Sequence, residues 1–215
     1  LTDKTIKIDL NLPMKEILSK LSEFPIRVKV LPSIEKIING KISLDITREI
    51  NVEDILDRES VKPIEKLLEK NVKNKIILIT GSGGSIGSEL CRQIILLKPK
   101  KMILLDNSEY NLYRINKELS LYENYKIVKA ILGSVKNENF ITKIFENDNI
   151  DTVYHAAAYK HVPLLENNIY YAIKNNILGT YTITKISNKF NIKSFVLVST
   201  DKAVRPANIM GATKR

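Results

Sequence analysis

Cysteine is nearly absent: Cys91 is the single one in 215 residues. One thiol can form neither an internal disulfide nor a cysteine cage for a metal, so the chain reads as belonging to a reducing, cytosolic setting. Long apolar runs are missing too. Nothing approaches the ~18–20 residues that cross a bilayer, and the opening Leu1-Thr2-Asp3-Lys4 lacks the apolar core of a secretory signal. Histidine is equally scarce. His155 and His161 have no acid or thiol at metal-ligand spacing, so no metal site is expected. No recognised nucleic-acid module appears, and no nucleic-acid partner is expected.

Basic charge, by contrast, is abundant. The formal net charge is +10. The lysines alternate with acids, as in Glu65-Lys66-Leu67-Leu68-Glu69-Lys70, which reads as a solvated helix face rather than an anion-binding patch. With 44% hydrophobic and 27% charged residues the composition is that of a globular protein with a sizeable core.

Two textures follow one another along the chain. Residues 1–74 hold short irregular pieces and read as a small connector or subdomain: a strand at 26–31, a helix from Ser33 closed by Gly40, an N-cap at Asn51 and a helix around 63–70. From Lys75 onward, short apolar runs at 76–80, 102–106, 127–132, 152–155 and 195–199 alternate with helical patterns. Those helices are expected at 85–97, 109–122, 137–147 and 167–188. Such alternation predicts an α/β fold over residues 75–215, a Rossmann-like, doubly wound parallel sheet whose C-terminal strand ends form the ligand edge. Both ends read as cut. Leu1 stands where a start methionine would be, and Met210 to Arg215 resemble the opening of a helix.

Directly after the first of these strands comes Thr80-Gly81-Ser82-Gly83-Gly84-Ser85-Ile86-Gly87. Strand before and helix after give this glycine loop the context of a dinucleotide site. Gly81 would allow the tight turn, Gly84 the approach of a pyrophosphate, and Gly87 close helix–strand packing. The N–H groups of Ser85, Ile86 and Gly87 would face the anion. A plain glycine-rich turn is the competing reading. Asp106 ends the second strand, about twenty residues on, where a carboxylate binds the adenosine ribose of NAD and repels the 2′-phosphate of NADP. No arginine follows in Asn107-Ser108-Glu109-Tyr110 to accept that phosphate, and Asn107 and Ser108 are expected to meet the cofactor beside Asp106; alternatively, Asp106 caps the next helix. Ala156-Ala157-Ala158, after His155, leave room for a cofactor or pack tightly against a helix, and the residues alone do not decide between these.

Together the glycine loop, Asp106-Asn107-Ser108-Glu109-Tyr110-Asn111-Leu112, His155-Ala156-Ala157-Ala158-Tyr159-Lys160-His161-Val162-Pro163, and Ser199-Thr200-Asp201-Lys202-Ala203-Val204-Arg205-Pro206 carry a resemblance. With Asn208-Ile209-Met210-Gly211-Ala212-Thr213-Lys214-Arg215 they are similar to the polysaccharide-biosynthesis nucleotide-sugar 4,6-dehydratases, extended short-chain dehydrogenase/reductase enzymes acting on UDP-N-acetylglucosamine. The resemblance implies NAD as cofactor, a UDP-sugar substrate and a homo-oligomeric complete enzyme. It also implies a parent protein anchored in the inner membrane and working on its cytoplasmic side, and residues 1–74 resemble the connector of such proteins.

The resemblance further implies roles for single residues. Asp201 would protonate the departing C6 hydroxyl and Lys202 would take the C5 proton; since a methionine at position 210 has no proton to exchange, Thr200, through water to Lys214 or Asp201, is the candidate for the C4 hydroxyl proton. Met210 occupies the tyrosine position of the Tyr-x-x-x-Lys pattern and Lys214 the lysine position, where it would also bond the nicotinamide ribose. Lys160, His161 and Asn176 would meet the sugar nucleotide, and Ser134-Val135 the adenine. This chain by itself is expected to bind NAD without turnover. The alternatives are a C4 epimerase of the same superfamily, which needs no acid–base pair, and a non-catalytic NAD-binding module.

Overall fold

The computed structural model describes residues 14–21, 29–30, 48–49 and 64–215. The chain divides into two compact units, Leu1–Pro63 and Ile64–Arg215. In the first, helix α1 (Met14–Leu21) and an antiparallel pair, β1 (Lys29–Val30) and β2 (Arg48–Glu49), are described. The helix expected at 33–40 and the Asn51 cap lie outside the described residues.

The second unit opens with α2 (Glu65–Val72), so it begins before the expected boundary at Lys75. Packing explains the difference. Val72 is buried in the same apolar cluster as Ile77 and Ile79, and the Thr152 hydroxyl donates to the Asn71 carbonyl at 2.8 Å.

Five strands follow: β3 (Ile76–Thr80), β4 (Lys101–Asp106), β5 (Val128–Leu132), β6 (Thr152–His155) and β7 (Ser194–Leu197). They form one parallel sheet in the order β5-β4-β3-β6-β7. Starting from the centre and winding outward in both directions is the doubly wound pattern. The helices between them are α3 (Ser85–Leu96), α4 (Glu109–Leu119) and α5 (Glu138–Asn147), then α6 (Val162–Glu166), α7 (Ile169–Ala172), α8 (Gly179–Lys189) and, at the end, α9 (Ile209–Ala212).

Strand alternation sorts the core into two layers. Ile77, Ile79, Met102 and Leu104 pack with Ile94, Ile95, Ile115 and Leu119 of α3 and α4. Leu78, Ile103, Leu105 and Val153 face the other way, onto Ile141, Ile144 and Phe145 of α5 and Ile183 and Ile186 of α8. Because both faces of β3 and β4 are covered, nearly every residue in them is apolar. At the opposite edge from the loops, Asp148 is ion-paired with Lys101 and, at 3.2 Å, with Lys129. Asp151 accepts from the Ile76 N–H at 3.0 Å and from Lys193 at 2.7 Å.

The single helix expected at 167–188 is instead three pieces. Between α7 and α8 the segment Ile173–Leu178 is π-helical. That widened turn buries two adjacent amides, Asn175 and Asn176, which a regular helix would spread by 100° around its axis. The last strand is also shorter than expected. The Val198 N–H still donates to the His155 carbonyl, but the Val198 carbonyl accepts from the Lys214 ammonium at 3.1 Å.

Candidate active site

All five strands are parallel, so the loops after them share one edge, and two adjoining cavities open there. The first, about 210 Å³, is lined by Gly81, Gly84, Asp106, Asn107, Ser108, Ser134, Val135 and Ala156, eight of the residues expected to meet a cofactor. The second, about 440 Å³, takes in Ser85, Ile86, Gly87, Lys160 and His161. Gly81, Gly84, Ala156, Ala158 and Tyr159 line both.

The glycine loop is shaped by contacts that exclude side chains. Gly81 has φ +67°, and a Cβ there would stand 2.6 Å from the Ala157 nitrogen. At Gly87 a Cβ would overlap the Gly81 carbonyl, whose carbon would lie 2.7 Å away. Gly84 is different. Its Cβ would meet only the Gly81 carbonyl oxygen, at 3.3 Å, with open space beyond. Gly84 also caps α3 without a side-chain acceptor. The first-turn N–H groups of a helix have no acceptor within it, and at α3 no side chain at the N-cap supplies one.

Asp106 is 7% exposed and holds the loop to the second strand. Its Oδ2 accepts from the Gly83 N–H at 2.8 Å and its Oδ1 from the Ser108 N–H at 2.9 Å. Capping of α4 falls to Ser108, whose hydroxyl accepts from the Asn111 N–H at 3.4 Å. The capping alternative for Asp106 is thereby taken by its neighbour.

At the end of β6 lies a buried imidazole. His155 Nδ1 is hydrogen-bonded to the Thr80 hydroxyl at 2.6 Å and Nε2 to the Thr180 hydroxyl at 2.9 Å. Burial, with a smaller push from the Lys214 charge, lowers its pKa to about 4, so the ring is neutral near pH 7. It joins the strand end before Gly81 to the strand end before Ala156. Burial also pushes the Lys214 ammonium below the usual lysine range.

Asn176, expected to meet substrate, is 1% exposed and does something else. Its Oδ1 accepts from the Tyr159 N–H at 2.8 Å, and its Nδ2 donates to the Tyr159 carbonyl at 3.0 Å and to the Thr213 hydroxyl at 2.9 Å. With every polar atom of its amide engaged inside the protein, it clamps the Tyr159 loop to the end of α9. The neighbouring Asn175 lines the first cavity instead.

Thr200, Asp201 and Lys202 form a compact turn after β7 and line neither cavity. The Thr200 hydroxyl donates to Asp201 Oδ1 at 2.9 Å, and the Lys202 ammonium lies 3.6 Å from the same oxygen. The Thr200 hydrogen bond, then the Lys202 charge, holds the Asp201 carboxyl below the usual range. Met210 is buried with Leu165 and Ala172, an apolar packing residue that lines neither cavity. Cys91 is buried, and burial pushes its thiol up and makes it unreactive.

Sequence reasoning passed over Asn111, Gly133 and Asn175 in the first cavity and Tyr159 and Tyr171 in the second. The adjacent asparagines were the one available signal, since two amides in succession on a helix facing a sheet demand partners.

Strand order and glycine turn make this a Rossmann-like, doubly wound domain with cavities at its ligand edge. More narrowly, the chain belongs to the polysaccharide biosynthesis protein family, whose model matches residues 77–215. Over 186 residues it is 43% identical to the capsular polysaccharide biosynthesis protein CapD of Staphylococcus aureus, covering 86% of this chain and 31% of that protein. It is 34% identical over 141 residues to a UDP-N-acetylglucosamine 4,6-dehydratase (inverting) of Campylobacter jejuni, covering 65% of this chain and 40% of that enzyme. Among solved structures, Pen from Bacillus thuringiensis matches with a TM-score of 0.62 at 32% identity, over 67% of this chain and 44% of that one. The chain thus spans less than half the length of each of these relatives.

Proposed function

We propose that the protein is an NAD-dependent nucleotide-sugar 4,6-dehydratase that converts a UDP-N-acetylhexosamine to its 4-keto-6-deoxy form. One observation carries the reading beyond the superfamily: an acid and a base, Asp201 and Lys202, share one hydrogen-bonded turn with Thr200 at the sheet's ligand edge. An epimerase has no use for that pair.

The residues fit the cofactor. Gly84 presents bare backbone to open space, and the buried Asp106 lines the first cavity. Gly84, Ser85, Ile86 and Gly87 would hold the pyrophosphate, Asp106 the adenosine ribose, and Ser134 and Val135 the adenine end. NAD, when bound, supplies a reversible oxidation of the sugar at C4, which makes the C5 proton acidic.

Thr200 and Asp201 then account for the protons. The Thr200 hydroxyl already donates to the Asp201 carboxylate. As the C4 hydroxyl gives its proton to Thr200 Oγ1, Thr200 passes its own to Asp201. A carboxyl held low in pKa is ionised and ready to receive it. Lys202, acting in its unprotonated form, removes the C5 proton, and the protonated Asp201 returns its proton to the C6 hydroxyl, which leaves as water; when the hydride returns to C6, Lys202 gives its proton back to C5. The proton taken at C4 is the one spent at C6, so Asp201 ends as it began. Met210, a thioether, has no proton to exchange.

Incubating the full-length protein with UDP-N-acetylglucosamine and NAD tests this. A product lighter by one water supports the reading. An isobaric product would identify an epimerase, and unchanged substrate under conditions where NAD binds would point to a binding module.

A further inference from the structure

The proposed dehydration needs the sugar beside the cofactor, and the two cavities, which meet along one boundary, bring together the residues expected to meet each: the glycine loop and Asp106 for the cofactor, Lys160 and His161 for the sugar. Five residues line that boundary, and four of them are Gly81, Gly84, Ala156 and Ala158. None of the four offers a polar side-chain atom. Tyr159 does. The residue is 40% exposed, and its hydroxyl has no hydrogen-bond partner among the described residues.

Its main chain, in contrast, is fixed. Both the N–H and the carbonyl of Tyr159 are bonded to the buried amide of Asn176, which is tied in turn to Asn175 and Thr213. A residue lining both cavities, pinned through its backbone while its hydroxyl keeps no partner among the described residues, is a preorganised contact. The position of Met210 sharpens the point. With that side chain packed against Leu165 and Ala172, α9 sends no polar group from position 210 to the boundary.

We infer that the Tyr159 hydroxyl hydrogen-bonds the hexose of the sugar nucleotide and orients the ring across the boundary between the two cavities. This makes Tyr159 a substrate-positioning residue. The inference rests on the reading of the protein as a sugar-nucleotide enzyme.

The test uses the full-length protein and Tyr159→Phe, which keeps the ring and deletes one oxygen. Binding of UDP-N-acetylglucosamine, UDP and NAD is measured separately by calorimetry, together with kcat and KM. Loss of one neutral hydrogen bond should weaken UDP-N-acetylglucosamine about tenfold. UDP and NAD should bind within about twofold of wild type, and kcat/KM should fall at least as far as sugar-nucleotide binding. Tyr181→Phe, exposed on α8 and away from both cavities, serves as the control for deletion of a phenol oxygen. Equal losses for UDP and UDP-N-acetylglucosamine would overturn the inference by putting the hydroxyl on the diphosphate. So would a loss confined to NAD, or no loss at all. If wild-type protein binds no UDP-sugar, the functional reading falls and takes the inference with it. If wild type binds and Tyr159→Phe binds equally well, only the inference falls.

Discussion

Gly84 and Gly87 lie three residues apart in one loop, yet alanine at the two positions should produce opposite defects. At Gly84 the backbone is extended, φ −69° and ψ 171°, so alanine fits without strain. Its methyl would touch only the Gly81 oxygen, at 3.3 Å. Replacing glycine restricts the unfolded chain, a gain of about 0.4–1 kcal/mol. Alanine is a poorer N-cap, a loss of about the same size. The fold should therefore be nearly unaffected, with Tm moving by less than about 4 °C in a domain of this size. The added methyl instead occupies the space where a pyrophosphate would approach the backbone. Overpacking of about 1–3 kcal/mol then weakens NAD by roughly 10- to 100-fold. At Gly87 the methyl would overlap the Gly81 carbonyl, which cannot retreat because the Gly81 N–H is tied to the Leu105 carbonyl at 2.8 Å. Gly87→Ala should lose several kcal/mol, more than the ~1 kcal/mol returned by helix propensity. Thermal unfolding by circular dichroism and NAD titration by fluorescence read the two effects independently. Equal destabilisation by both variants, or normal NAD affinity in Gly84→Ala, would refute this account of the loop.

NAD should bind at least tenfold tighter than NADP, because the 2′-phosphate would face the buried Asp106 carboxylate; equal affinities in parallel titrations would remove Asp106 from the ribose site. Lys202→Ala should cut turnover by ~10²–10⁴-fold and let reduced nicotinamide accumulate in single-turnover absorbance traces, since oxidation precedes the step it serves. Asp201→Asn should suppress that absorbance as well, because the C4 proton would have no acceptor; accumulation in both variants would break the proposed relay. Met210→Leu keeps the volume of a buried packing residue, so turnover should stay within several-fold of wild type and stability within about 1.5 kcal/mol. Acid should destabilise the fold in two stages. His155 is held neutral with a pKa near 4, so the unfolded chain takes up its proton first, and as pH falls from about 6.5 toward 4 up to about 3 kcal/mol is lost. At Asp148 burial pushes the carboxyl up, but Lys101 and Lys129 together outweigh it and hold it below the usual range. Its contribution is therefore present above the unfolded carboxylate pKa of about 3.9 and lost below it. Urea unfolding at a series of pH values checks both, and a His155→Gln variant with the wild-type slope between pH 6.5 and 4 would exclude the imidazole as the cause.

What the sequence discloses depends on the range of the interaction involved. Strands β3 and β4 are legible because burial on both faces writes an apolar run, and the glycine loop because a Cβ at Gly81 or Gly87 would strike backbone. Asp106 is legible by its distance from that loop. These are local constraints, settled within about twenty residues. The roles of Asn176 and Met210 are not local. Asn176 bonds a loop 17 residues before it and a helix end 37 residues after it, and no pattern in the intervening sequence shows that both reach the same amide. Met210 stands in the tyrosine position of a familiar pattern, but its burial depends on α6 and α7 folding beneath it, and α6 was not expected at all. Tyr159 was hidden for a further reason. A tyrosine after three alanines has no periodicity, and its importance comes from the residues around it: it is the one polar side chain on a boundary otherwise made of glycine and alanine. Small residues clear the space for two ligands to meet, and the same smallness strips that space of hydrogen-bonding groups. A site built this way has to import its polar contact from a fixed neighbour, and the clamp of Asn176 on Tyr159 is the arrangement that holds such a neighbour in place.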